Sequence, residues 1–110
     1  MIYVASPYSS ELAAIREKRY QEVRRWTFNR IAVKQECLFS PIVYMHEHAS
    51  SYNLPTDAAF WWRFNQQLLL VARHLYVLKL PGWEQSLGVK QEVEFANNIV
   101  PTIPVTYFSL

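Results

Sequence analysis

The sequence predicts an α/β protein: one three-layer α/β/α domain over residues 1–110, with helices on both faces of a parallel sheet of four to five strands. Three observations carry this. Short apolar runs alternate with longer stretches of helical period, in the order β-α-β-α-β-α-β. The apolar runs are continuous rather than alternating, as in strands covered on both faces. The chain has 110 residues, 51% hydrophobic and 18% charged, which is enough for one core and too little for two. Such an arrangement is flavodoxin- or Rossmann-like.

Residues 2–5 (Ile-Tyr-Val-Ala) read as a short buried strand that ends in the turn residues Ser6-Pro7-Tyr8-Ser9. A helix follows. Leu12, Ile15, Tyr20, Val23, Trp26 or Thr27, and Ile31 recur at spacings of three to five, and Arg16, Glu17, Lys18, Arg24 and Arg25 fall largely on the other face. Ser9 or Ser10 is its expected N-cap, with Glu11 in the first turn. Cys37-Leu38-Phe39 is a second strand, stopped by Ser40-Pro41. Residues 42–55 lack a clear period and carry Ser50, Ser51, Asn53 and Pro55, so a loop is expected there.

Thr56-Asp57 opens a second helix that runs to about Ala72, with Phe60, Trp61, Phe64, Leu68 and Val71 on its apolar face. Residues 75–80 (Leu-Tyr-Val-Leu-Lys-Leu) form the clearest strand and end in Pro81-Gly82-Trp83, where the glycine permits a sharp turn. Residues 86 to about 98 are a third helix and residues 102–108 the last strand, in which Pro104 marks an edge or a bulge.

Composition removes several functional classes. A net charge of +2 is too mild to imply nucleic-acid binding, and the cluster Arg16, Lys18, Arg19, Arg24 and Arg25 is mixed with Glu17 and Glu22 like an ordinary solvated helix face. Arg19 reaches an anion only if its helix turns it toward the sheet's carboxyl edge. The single cysteine, Cys37, excludes a disulfide framework and is expected to be a small core residue. His46 and His48 would share one side of an extended segment, but nothing else supports a metal site, so no metal is expected. No segment has the signature of a leader or a membrane span, so a cytoplasmic protein without membrane contact is expected. Aromatic residues make up 15% of the chain, among them four Trp and seven Tyr. That density suggests a pocket, a subunit interface or both, and hence a homodimer or higher homo-oligomer in which Trp61 or Trp62 meets a second subunit or stacks on a base.

In a parallel sheet a ligand sits beyond the carboxyl ends of the strands. Here those places hold Ser6-Pro7-Tyr8-Ser9-Ser10, then Ser40-Pro41-Ile42 ahead of His46-Glu47-His48, then residues 81–92. Ser86 and Gly88 fall where the third helix begins, so backbone N–H groups and a hydroxyl could hold an anion there. Glu92 lies about one and a half turns further in. Taken alone, Glu92 could be an ordinary helical glutamate, Ser86 only an N-cap, and Ser6 and Tyr8 only turn residues.

Together these segments resemble the nucleoside 2-deoxyribosyltransferase superfamily over nearly the whole chain. The resemblance is carried by Ile2-Tyr3-Val4-Ala5-Ser6-Pro7-Tyr8-Ser9, Phe39-Ser40-Pro41-Ile42, Val77-Leu78 through Pro81-Gly82-Trp83, and Ser86-Leu87-Gly88-Val89 with Glu92 and Ala96. The last piece is the most specific and is similar to the motif of the 2′-deoxynucleoside 5′-monophosphate N-glycosidases. The resemblance implies cleavage or transfer of an N-glycosidic bond on a nucleoside or nucleotide, without a cofactor. It makes Glu92 the nucleophile that forms a glycosyl-enzyme ester and Ser86 a phosphate ligand. Ser6, Tyr8, Gly88, His46 and Tyr3 are the further candidates for substrate binding. Two aspartates of the family pattern stand here as Asn65, expected at the sugar, and Arg73. An amide cannot be a general acid, so His46, His48 and Glu94 are the candidate substitutes, and a nucleotide-binding module without turnover is the alternative.

Overall fold

The computed structural model describes all residues, Met1–Leu110. Its sheet has four strands, all parallel: β1 (Ile2–Ala5), β2 (Leu38–Phe39), β3 (His74–Leu78) and β4 (Val105–Phe108), in the order β2-β1-β3-β4. Four helices connect them: α1 (Ala13–Lys34), α2 (Pro41–Ser51), α3 (Ala58–Leu70) and α4 (Leu87–Asn98). From β1 the chain steps to one side of the sheet, and from β2 it crosses back to β3 and then β4. Right-handed crossovers in opposite directions place their helices on opposite faces.

The core follows this arrangement. Strand periodicity turns Tyr3, Ala5, Leu75 and Val77 to one face, where Leu69 of α3 and Val89 and Ala96 of α4 cover them. Val4, Leu78 and Leu80 turn to the other face and meet Val23 of α1. Arg30 of α1 lies over the rings of Trp26, Tyr76 and Phe108 and pairs with Glu36 at the amino end of the sheet.

Several expectations are corrected. Residues 42–51 are not a loop. Ser40 caps α2 by accepting from the Val43 N–H at 3.2 Å, and Pro41 occupies the first turn, where its missing N–H costs nothing. The helix buries Pro41, Met45 and Ala49, a stripe of spacing four. α1 begins later than expected, after Leu12, and Leu12 and Ile15 are exposed. Cys37 is exposed and precedes β2, because that strand is only two residues long. β4 starts after Pro104, whose carbonyl accepts from the Leu75 N–H at 2.9 Å, and it is an edge strand.

The core face of α3 also differs: Phe60, Phe64 and Val71 are exposed, and Leu69 and Trp62 turn inward. A contrast tests this orientation. Leu69→Ala, at a fully buried side chain, is expected to cost about 2–5 kcal/mol. Leu70→Ala, at a side chain that is 52% exposed, should change stability by about 0.5 kcal/mol or less, read from urea unfolding midpoints.

Candidate functional site

The order β2-β1-β3-β4 reverses direction at β1. The segment after β1 therefore leads to one face and the segment after β3 to the other, and a crevice opens between them. A cavity of about 590 Å³ fills this crevice. Ser6 and Tyr8 after β1, Arg19 of α1, Gly82 after β3, Ser86, Gly88 and Glu92 at the start of α4, and Ile42, Met45, Asp57, Trp61 and Asn65 line it. The size suits a nucleotide-sized ligand.

Glu92 is the central side chain. It sits on the second turn of α4 on the face turned to the sheet, and only 6% of it is exposed. The Tyr3 hydroxyl, from the middle of β1, donates to Glu92 Oε2. Burial pushes the carboxyl up to about 8, against the opposing pull of the Tyr3 hydrogen bond. Burial and the neighbouring carboxylate in turn hold the Tyr3 phenol well above its ordinary value. A carboxyl so perturbed on a cavity wall marks a candidate functional group.

The other end of this wall carries hydrogen-bond donors and a cation. Ser86 caps α4, its Oγ accepting from the Val89 N–H at 3.2 Å, which leaves earlier first-turn N–H groups directed at the cavity. Gly88 has an ordinary helical backbone, and an added Cβ would meet Ala58 Cβ at 3.6 Å and Ser86 Oγ at 3.9 Å. A side chain there would fit but would intrude beside the Ser86 hydroxyl. Arg19 leans in from α1. Its Nη1 donates to the carbonyls of Tyr8 (3.2 Å) and Ser9 (2.9 Å) and its Nη2 to that of Pro81 (3.3 Å). Carbonyls fix the guanidinium without neutralising it, and donors remain free. Gly82, at φ +91°, supplies the left-handed turn that brings Pro81 under Arg19.

Over residues 1–108 the sequence matches the family described as Domain of unknown function (DUF1937). The chain belongs to the DUF1937 family. A search of curated proteins finds no match.

In this DUF1937 chain the cavity brings together Ser6, Tyr8, Asn65, Ser86, Gly88 and Glu92 of the residues expected from sequence. Ser6 Oγ and Asn65 Oδ1 are buried on its wall with no hydrogen-bond partner in the protein, so both can engage a ligand. Two expectations change. Tyr3 does not line the cavity; it is fully buried behind Glu92 and acts on a ligand only through that carboxyl. His46 also stands outside the lining, behind Tyr8, with its Nδ1 2.7 Å from the Tyr8 hydroxyl. His46 and His48 are on a helix rather than a strand, so two residues of separation turn them to different sides, and His48 lies against Tyr44 with the two rings tilted.

Arg73 lies before β3 at the amino end of the sheet, where its N–H donates to the Met1 carbonyl at 3.0 Å. Position 73 therefore has no part in the cavity, whatever residue stands there. Trp61 lines the cavity, its indole N–H donating to the Pro55 carbonyl at 2.8 Å, and Trp62 packs on the core against Phe95. Sequence reasoning missed Asp57 and Met45 in the wall. The cap position of Asp57 and the spacing of Met45 from Pro41 were the available signals.

Proposed function

We propose that this protein cleaves or transfers the N-glycosidic bond of a 2′-deoxynucleoside, with 5′-monophosphates as the substrate class and Glu92 as the nucleophile. The observation that carries this reading is the buried Glu92 carboxyl on the cavity wall, backed by Tyr3 and six residues beyond the Ser86 cap. Six helical residues span about 9 Å. That is the scale separating a nucleotide's phosphate from its anomeric carbon, once contact distances are included.

In this reading the phosphate rests on the α4 N-terminus, the Ser86 hydroxyl and Arg19, and Ser6 and Asn65 hydrogen-bond the sugar. The apolar side chains of Ile42, Met45 and Trp61 take the base. Glu92 attacks C1′ and the C1′–N bond breaks with its electron pair leaving on the base. The resulting glycosyl ester is opened by water or by a second base, the logic of a retaining glycosidase. Tyr3 holds Oε2, which leaves Oε1 for C1′. The protein acts in the cytoplasm as a homo-oligomer, with the exposed aromatic face of Tyr44, Phe60 and Phe64 as the surface that meets a second copy.

The test is base release from a panel of deoxynucleoside monophosphates and free deoxynucleosides, followed by chromatography, with Glu92→Gln alongside. Release from monophosphates that vanishes in the variant is the expected result, and release indifferent to Glu92 removes the assignment. Asn65 favours a second reading, a nucleotide-binding module without turnover, since its amide stands where an acid would serve. That module would raise the melting temperature with added monophosphate and release no base.

A further inference from the structure

Behind the cavity wall runs a chain of titratable groups that the glycosidic reading does not use. The Tyr8 hydroxyl lies 2.7 Å from His46 Nδ1, and His46 Nε2 lies 2.8 Å from Glu17 Oε2. The Tyr20 ring stacks on the imidazole at 4.1 Å and 18°, which fixes its plane, and donates its own hydroxyl to Glu47 at 3.0 Å. The Glu17 side chain is 54% exposed, so the chain reaches from solvent to a residue of the cavity wall. The charged and titratable groups around His46 are thus Glu17 and Tyr20 of α1, Tyr8 of the segment after β1, and Glu47 on its own helix. Arg16 lies beside Tyr8, where it opposes the effect of burial on the phenol, and Arg24 lies beside Tyr20.

The geometry limits where the protons can be. An ionised Glu17 can only accept, so Nε2 carries a hydrogen in either charge state of the ring. In neutral His46, Nδ1 is a lone pair that accepts from the Tyr8 hydroxyl, and the Tyr8 oxygen offers the cavity only acceptor sites. In protonated His46, Nδ1–H donates to the Tyr8 oxygen, and the O–H of Tyr8, a residue of the cavity wall, is released to another acceptor. Burial raises the Tyr8 phenol above its ordinary value, so the hydroxyl keeps its proton at working pH.

We propose that Tyr8 is the acid that protonates the departing base, recharged by His46, whose ring Glu17 holds. This rests on the glycosidic reading of the cavity and supplies what Asn65 cannot. As the C1′–N bond breaks, its electron pair stays on the base nitrogen and the base takes the Tyr8 proton. The His46 Nδ1 proton moves to the Tyr8 oxygen, leaving a neutral imidazole held by Glu17. When water opens the glycosyl ester, its oxygen bonds to C1′ and the C1′–O electron pair returns to Glu92. The spare proton of that water runs back through Tyr8 to His46, which restores the starting state. Tyr8 is the catalytic residue here, and His46 and Glu17 are positioning residues.

The experiment is base release from whichever monophosphate is turned over, across pH 5.5–9.5, in the wild type, His46→Gln, Tyr8→Phe, Glu17→Gln and Glu92→Gln. Turnover needs Glu92 ionised and His46 protonated together, so the wild-type profile is a bell. His46→Gln should lose roughly 10²–10⁴-fold at the optimum. Its profile should also lose the alkaline descent and level off above about 8, where Glu92 is ionised. Tyr8→Phe should lose a similar factor. Glu17→Gln, at an exposed side chain that does not endanger folding, should keep the bell and lower its maximum by less than His46→Gln does, because the ring loses its carboxylate partner. Glu92-dependent release with the alkaline limb intact in His46→Gln and the maximum unchanged in Glu17→Gln overturns the relay and leaves the glycosidic reading standing. Absent release, or release unchanged in Glu92→Gln, overturns that reading and the relay with it.

Discussion

Glu92→Gln should abolish base release, by on the order of 10³–10⁶-fold, and at the same time stabilise the protein. The amide keeps nearly the shape of the carboxyl and still accepts from the Tyr3 hydroxyl, so the wall of the cavity is retained. What it loses is the charge and the nucleophilic oxygen. The stability gain has a definite sign. Folding raises the Glu92 carboxyl from 4.5 to about 8, so between those values the folded chain holds a proton that the unfolded chain has released. Wild-type stability therefore falls as pH rises through that window and stops falling above about 8. At 1.36 kcal/mol per unit, the loss reaches about 3 kcal/mol at pH 7 and about 5 kcal/mol at pH 9.

The variant has no such group. Melting curves of the two proteins should nearly coincide close to pH 4.5 and separate as pH rises, by about 10 °C or more at pH 8. Equal melting temperatures throughout would mean that Glu92 is not desolvated as its 6% exposure implies, and its role as a poised nucleophile would lose its physical basis. A carboxyl that weakens the fold at the pH where it is ionised makes sense as a functional group, and makes none as a structural one.

What could be read from sequence depended on whether the signal was local. The run from Ser86 to Glu92 is local: a cap, a helix start and a carboxylate at fixed spacing, of which Ser86, Leu87, Gly88 and Glu92 line the cavity. The strands were legible because each is a short apolar run between turn residues. α2 was not, although Ser40-Pro41 is a regular helix opening. Its buried stripe is only Pro41, Met45 and Ala49, and His46, Glu47, His48, Ser50 and Ser51 blur the period around it. In α3 the aromatic run hid the phase: with Phe60, Trp61, Trp62 and Phe64 all apolar, only packing decides which turn inward. The Tyr3–Glu92 contact joins residues 89 apart, and no pattern in either segment announces it. The pairing of Tyr8 with His46 depended on α2 being a helix at all.

Arg19→Met is the second large expectation, and it concerns substrate choice rather than chemistry. The guanidinium lies on the same cavity as the α4 N-terminus and Ser86, fixed by the carbonyls of Tyr8, Ser9 and Pro81, and no carboxylate pairs with it. A phosphate there would receive charge-assisted hydrogen bonds from a cation already held in place, each worth about 1.5–3 kcal/mol. Met keeps much of the apolar stem and removes the charge. Turnover of the monophosphate should fall about 10- to 100-fold in kcat/KM, and turnover of the free deoxynucleoside should hardly change. The ratio of the two substrates is the decisive quantity, because any loosening of the loops that Arg19 clamps lowers both and cancels. Ser86→Ala should move the same ratio in the same direction, with about 1 kcal/mol of lost stability from the missing cap. In the wild type the KM for the monophosphate should rise with salt, as screening weakens the contact between guanidinium and phosphate. An equal fall on both substrates would instead make Arg19 a clamp between the segments after β1 and β3, and the anion site would then rest on the α4 N-terminus and Ser86 alone.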